Sequence, residues 1–168
     1  MQVDLSGGKL KEIIKYKYEE IIELNISYNG LEELPEWINQ CVNLQKLYCH
    51  CNELESLSQQ LPNSLQELHC SYNQLNSLPE QLPNSLQEFY CYNNQLKSLP
   101  MSLLNCRHLN GINYHNNQIE NIHPAINRLI NRIKYKDSTI YNDSQSVHDS
   151  NVQESIRKSI INILKDLK

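Results

Sequence analysis

The sequence predicts an α/β fold of the solenoid kind: a right-handed coil of short repeats, with a parallel β-sheet on its concave face and helical caps at the N- and C-terminal ends. Three observations lead to this. One pattern recurs five times, beginning at Ile21, Leu44, Leu65, Leu86 and Leu109. The spacings are short and nearly constant, at 23, 21, 21 and 23 residues. Every copy alternates apolar and polar residues and then places an Asn. A single unit of this size cannot bury its own apolar face, whereas stacked neighbours bury a continuous one.

The copies read IIELNISYNGLEEL, LQKLYCHCNELESL, LQELHCSYNQLNSL, LQEFYCYNNQLKSL and LNGINYHNNQIENI. All fit LxxLxLxxNxLxxL, with Ile, Phe, Cys or Tyr in some Leu places. A weaker unit, INRIKYKDSTI, starts at Ile130 and carries Ser138 where the Asn would stand, so it reads as a degenerate sixth repeat. Over roughly residues 21–140 the chain resembles the leucine-rich-repeat (LRR) family. The tandem LPNSLQEL and LPNSLQEF segments resemble the short repeats of bacterial effector LRR proteins. Together with the richness in Asn, Ile and Tyr, they are also similar to LRR proteins of giant DNA viruses. The bacterial effectors often carry a separate ubiquitin-ligase domain, and no segment of that size is expected here.

Each element follows from the pattern. The xxLxL portion predicts a strand, and strand alternation turns Leu24/Ile26, Leu47/Cys49, Leu68/Cys70, Phe89/Cys91 and Ile112/Tyr114 inward. Asn29, Asn52, Asn73, Asn94 and Asn117 fall at the bend after each strand, where a side-chain amide can satisfy backbone groups leaving the sheet. The 23-residue units return through LPEWINQCVN and LPMSLLNCRH, which predict a helical or 3₁₀ turn with Cys41 and Cys106 buried. The 21-residue units return through LPNS, where Pro favours an extended path. Residues 1–20 are expected to form an N-terminal helical cap through Leu10, Ile13 and Ile14. Residues 141–168 are expected to hold a polar loop and then an amphipathic helix. In that helix Val152, Ile156, Ile160, Ile163, Leu164 and Leu167 share one stripe. It caps the array or supports self-association.

Composition limits the function. With 168 residues and a formal net charge of −4, the chain lacks the basic surface of a general nucleic-acid binder. No apolar run approaches the ~20 residues of a membrane span. The start, MQVDLSGGKLKEII, has no signal-peptide stretch. Six cysteines in a chain without an export signal predict reduced thiols and an intracellular, cytoplasmic setting, the host cytoplasm for a viral protein. No GxxxxGK[ST], HExxH, GxSxG or GxGxxG occurs, and the His residues lack metal-ligand spacing. Cys49 and Cys70 face inward while His50 and His69 face outward, so the four cannot converge on a zinc ion. No catalytic residue, metal site or cofactor is expected.

The outward side of the strands is then the candidate surface. The third repeat position supplies Glu23, Lys46, Glu67, Glu88 and Gly111. The fifth supplies Asn25, Tyr48, His69, Tyr90 and Asn113. The seventh supplies Ser27, His50, Ser71, Tyr92 and His115, with Tyr28, Cys51 and Tyr72 at the rim. An aromatic column beside an acidic one predicts partner binding through Tyr48, His50, Glu67, His69, Glu88, Tyr90, Tyr92 and His115. The expected function is non-enzymatic recognition of an unidentified protein, as the family resemblance also implies, with no nucleic-acid or membrane partner. The alternatives are a substrate-recognition component of ubiquitin-ligase machinery, or glycan or small-ligand binding on the aromatic face. Charge is uneven along the chain: residues 1–60 hold ten acidic and five basic side chains, whereas residues 101–168 are net basic.

Overall fold

Six strands of three residues each form one parallel sheet in the computed structural model of the chain, and their order in space is their order in sequence. They are β1 (Gln2–Asp4), β2 (Glu23–Asn25), β3 (Lys46–Tyr48), β4 (Glu67–His69), β5 (Glu88–Tyr90) and β6 (Gly111–Asn113). Among the described residues one α-helix, α1 (Pro124–Asp137), follows. The structure describes residues 1–137, of which residues 1–133 form one unit with a continuous core.

The register is the one the repeat demands. Leu24, Leu47, Leu68, Phe89 and Ile112 pair in succession across β2 to β6. The first four are fully buried, as are Ile26, Cys49, Cys70 and Cys91 two residues further along. Ile112 and Tyr114 are half-exposed, because among the described residues no further coil lies over β6. The ladder outruns the three-residue strands: Cys49 N–H donates to His69 O, Cys70 to Tyr90 O, and Cys91 to Asn113 O, at 2.8–2.9 Å.

The asparagines perform the expected task and also tie each coil to the one before it. Asn73 Nδ2 donates to Cys70 O of its own coil and to Cys49 O of the preceding coil, both at 3.1 Å, while its Oδ1 accepts from Leu54 N–H at 3.0 Å. Asn94 repeats this with Cys91 O, Cys70 O and Leu75 N–H. Asn52 and Asn117 make the equivalent bonds. One residue before each Asn the backbone takes a left-handed conformation: Tyr28, Cys51, Tyr72, Asn93 and Asn116 have φ between 54° and 58°. Such a φ is uncommon outside Gly, Asn and Asp, so Tyr and Cys there carry local strain that the surrounding ladder must offset.

In the N-terminal cap expected over residues 1–20, the helical part through Leu10, Ile13 and Ile14 is a 3₁₀ turn, and a strand not expected there precedes it. The segment opens as a coil of its own. Val3 pairs with Leu24, and Val3 and Leu5 occupy the inward places of Leu24 and Ile26. Gly7 has φ 63° where Tyr28 has 58°. Gly8 stands in the Asn place, and its N–H donates to Asn29 Oδ1 at 2.8 Å. Helical structure is confined to 3₁₀ turns at Leu10–Lys15 and Tyr18–Glu20. An extra coil thus covers the inner face of the first repeat legible in the sequence.

The longer returns follow the sequence. They make 3₁₀ turns at Glu36–Gln40 and Met101–Asn105, with Cys41 and Cys106 buried behind them. The LPNS returns form no helix, but they are not extended throughout: each closes in a turn, with Leu65 N–H donating to Pro62 O and Leu86 N–H to Pro83 O at 3.1 Å. Their serines reach back one coil, Ser64 Oγ to Val42 O and Leu44 O, and Ser85 Oγ to Asn63 O and Leu65 O, at 2.6–2.9 Å.

The degenerate sixth repeat is not a coil. Its first residues lie in α1, where Pro124 supplies the first turn and His123 Nδ1 accepts from Ala125 N–H at 3.2 Å. Ile126, Leu129, Ile130 and Ile133 are buried, and their steps of three and four are helical rather than alternating. This helix supplies the last buried apolar side chains of the core. The predicted loop and helix of residues 141–168 lie outside the described residues, as does any self-association through them.

Two substitutions test this account. Leu68→Ala should cost about 2–5 kcal/mol, as buried Leu truncations do. Asn73→Ala removes no apolar packing, yet it orphans Leu54 N–H and takes from Cys49 O and Cys70 O one of the two asparagine amides that each accepts, and should cost about 1–3 kcal/mol. Urea unfolding measures both.

Candidate functional site

Strand alternation puts the third and fifth residues of each repeat on the outward face, and stacking turns them into two columns. The fifth-position column is a run of touching rings. Tyr48 meets His69 edge-to-face at 4.8 Å between centroids, and His69 meets Tyr90 at 4.6 Å. All three are half-buried, lying across β3, β4 and β5. Edge-to-face contacts of this kind favour a fixed arrangement of the rings.

Beside it runs the charged column. Lys46 Nζ lies 2.7 Å from Glu67 Oε1 on the next strand, and Tyr48 Oη donates to Glu67 Oε2 at 3.2 Å. Glu23 accepts from Gln2 Nε2 at 2.6 Å. His69 Nε2 lies 4.0 Å from Glu88 Oε2. Burial, and then the charges of Glu67 and Glu23, push the Tyr48 phenol up and keep it protonated. The hydrogen bond to Glu67 raises Lys46 above the ordinary lysine range. The column ends at Gly111, which is buried beneath Tyr90. A Cβ there would stand 3.0 Å from Tyr90 Oη and 3.4 Å from Glu88 Cγ. Glycine leaves room for the tyrosine ring to lie over β6.

The predicted site residues therefore divide. Tyr48, Glu67, His69, Glu88 and Tyr90 come together on β3 to β5. His50 and Tyr92 belong to rim pairs, His50 against Tyr28 and Tyr92 against Tyr72. His115 is exposed on the last coil and stacks on Tyr114. Two seventh-position residues expected to face water do not. Ser27 is 0% and Ser71 3% exposed, and Ser27 Oγ lies 2.6 Å from Asn25 Oδ1 and 3.1 Å from His50 Nδ1. Short side chains at this position sit beneath their larger neighbours. Lys46, Glu23 and Gly111 were absent from the predicted set although they share the third-position column. The 21- and 23-residue spacings that align Glu67 with Glu88 align these as well.

The stacking also gathers Glu67, His69 and Glu88, with one oxygen of each carboxylate and a ring nitrogen all within 4.8 Å of one another. Linear His spacing cannot reveal such a group, because its members come from two strands. The thiols behave differently. All six cysteines are free. Burial pushes Cys49 up to about 12 and Cys41 and Cys106 up to about 11, and raises Cys70 and Cys91 as well. Cys51 is half-exposed and also raised by burial, which opposes thiolate formation.

Comparison with known proteins agrees with this geometry. The chain is a leucine-rich-repeat protein: the family model described as Leucine Rich repeats (2 copies) matches residues 19–63 and again 63–101. Among solved structures it is similar to YopM from Yersinia enterocolitica WA-314, at 34% identity and a TM-score of 0.58, over 67% of this chain and 23% of that one. Among curated proteins it is similar to the oligodendrocyte-myelin glycoprotein of Homo sapiens and of Mus musculus. Each is 43% identical over 63 residues, or 38% of this chain and 14% of theirs. The chain thus spans under a quarter of the length of each of these relatives. No helix among the described residues is long and apolar enough to cross a membrane.

Under native conditions iodoacetamide is expected to label Cys51 first, and more slowly than free cysteine. Cys49, Cys70 and Cys91 should react only once denaturant is added. Intact-mass measurement followed by peptide mapping reads both.

Proposed function

We propose that the chain is a non-enzymatic interaction module that recognises a protein partner through the outward face of its sheet. Proteins of this repeat class are in general interaction scaffolds, and the LRR assignment supports that much directly. The finer reading rests on one observation, the continuous Tyr48–His69–Tyr90 ring stack, half-exposed on three adjacent strands. Rings held in place by each other lose little freedom on binding, and aromatic side chains dominate the energetics of protein interfaces. The rim pairs Tyr28–His50 and Tyr72–Tyr92 extend the same surface. A reducing, intracellular setting is part of the proposal, because six unpaired thiols are compatible with it.

Tyr90→Ala tests the reading. The side chain lies outside the core, so melting should change little, whereas truncation of a central interface aromatic costs roughly 2 kcal/mol or more in binding. Affinity purification from lysate should lose the partner with a Tyr48/Tyr90/Tyr92 alanine variant. Equal capture by wild type and variant would exclude the face.

A further inference from the structure

The two columns on the outward face differ in sign as well as in shape. Glu23 on β2, Glu67 on β4 and Glu88 on β5 set three carboxylates in line, against the single ammonium of Lys46 on β3. Lys46 shows what this line attracts. It closes to 2.7 Å on Glu67, and its charged form is favoured first by that bond and then by the charges of Glu67, Glu23 and Glu88. The Tyr48 phenol responds to the same carboxylates after its burial. The carboxylates thus lie close enough to act on both groups, with Glu67 in direct contact with each. Toward β5 the carboxylates meet the rings. Atoms of Glu67, His69 and Glu88 converge within 4.8 Å, and Tyr90 on the next position of the same strand lies against His69.

We propose that this face takes an extended, basic segment of a partner protein, seating an Arg or Lys side chain between Glu67 and Glu88 and against the Tyr48–His69–Tyr90 rings. The proposal rests on the sheet face being the binding surface and adds the chemistry of what it binds. Carboxylates on neighbouring parallel strands are about 4.8 Å apart, a separation that a planar guanidinium with its several N–H donors can bridge. The tyrosine faces beside it attract a cation and cover its aliphatic stem. Glu67 already accepts one internal cation in this manner, so a second, supplied by the partner, extends an arrangement the coil has built. Gly111 keeps the β6 end of the column free of a side chain and lets Tyr90 lean across it.

The test uses fluorescently labelled peptides in which Ser alternates with Arg, Lys, Gln or Glu, titrated against the full chain by anisotropy at low and high salt. The Arg and Lys peptides should bind and weaken with salt, and the Gln and Glu peptides should not bind. Glu67→Gln/Glu88→Gln should weaken the Arg peptide by about tenfold, the scale of losing two partly exposed charge contacts. Glu33→Gln/Glu36→Gln, which removes as much charge from the exposed loop and turn after β2, should leave it within about twofold. Glu88→Lys provides a second variant that leaves the core untouched, and thermal melting checks the fold of each. Equal loss in both double variants reduces the effect to net charge and overturns the proposal, as does a Gln peptide that binds as well as the Arg peptide. Zn²⁺ titrated in parallel covers the rival occupant: tight binding abolished by Glu88→Gln, with no peptide bound, assigns the triad to a metal instead. If partner capture depends on Tyr90 but not on the two carboxylates, the sheet face stands and only its basic ligand falls. If it depends on neither, both fall.

Discussion

At the end of every strand the chain must leave the sheet, and there its carbonyls point into an interior without water. After each of the strands β2 to β6 one asparagine side chain resolves this. Its amide donates to a carbonyl of its own coil and to one of the coil before, while its oxygen accepts an N–H from the coil before. Most of those bonds cross from one repeat to the next, so the asparagine is satisfied only if the repeats are stacked in register. The spacing of 21 or 23 residues, the left-handed residue just ahead of the Asn and the parallel sheet all follow from placing that amide correctly. Hydrophobic burial drives the coils together, and the amides decide which coil positions meet.

This explains which parts of the fold were legible in the sequence. Asn29, Asn52, Asn73, Asn94 and Asn117 mark their coils without ambiguity, and the inward pairs two residues apart follow from alternation. The first coil escaped because Gly8 occupies the Asn place. A glycine offers no side-chain amide, and its backbone N–H feeds Asn29 Oδ1 instead. What remained visible was Val3-x-Leu5, 21 residues ahead of Leu24-x-Ile26. At the other end Ile130 and Ile133 mimic the start of a repeat, but Ile126 and Leu129 add the helical steps that decide the matter. A terminal element need only cover the array on one side, so nothing constrains it to repeat the asparagine geometry.

The candidate site was legible to a lesser degree, for a related reason. Alternation assigns a face to each residue, and it correctly set Tyr48, His69, Tyr90, Glu67 and Glu88 outward. It does not say which outward residue covers another. Ser27 and Ser71 point away from the core and are still shielded, because a short side chain between long ones is overgrown by them. Gly111 belongs to the charged column by position, yet its contribution is the space it leaves to Tyr90. The Lys46–Glu67 pair and the Glu67–His69–Glu88 group are cross-strand contacts, and their members lie about one repeat apart in the chain. Side-chain size and pairing across strands, rather than periodicity, set those details.

The division of labour between the two faces bears on function. The inward face has little freedom: Leu24, Leu47, Leu68 and Phe89 must fill one shared interior, and the bend must keep its asparagine. The outward face carries none of the asparagine bonds and little of the core, so the fold tolerates many side chains there. Simple tolerance would accept a scattered mixture of small polar residues. Instead three adjacent strands carry Tyr, His and Tyr in ring contact, beside carboxylates that outnumber their only ammonium. Like charges on neighbouring strands oppose each other, and large rings half-open to water are not what the outward face of a sheet requires. Lys46 offsets part of that repulsion at Glu67, and a cation between Glu67 and Glu88 would offset more, which is the physical basis of the proposed basic ligand.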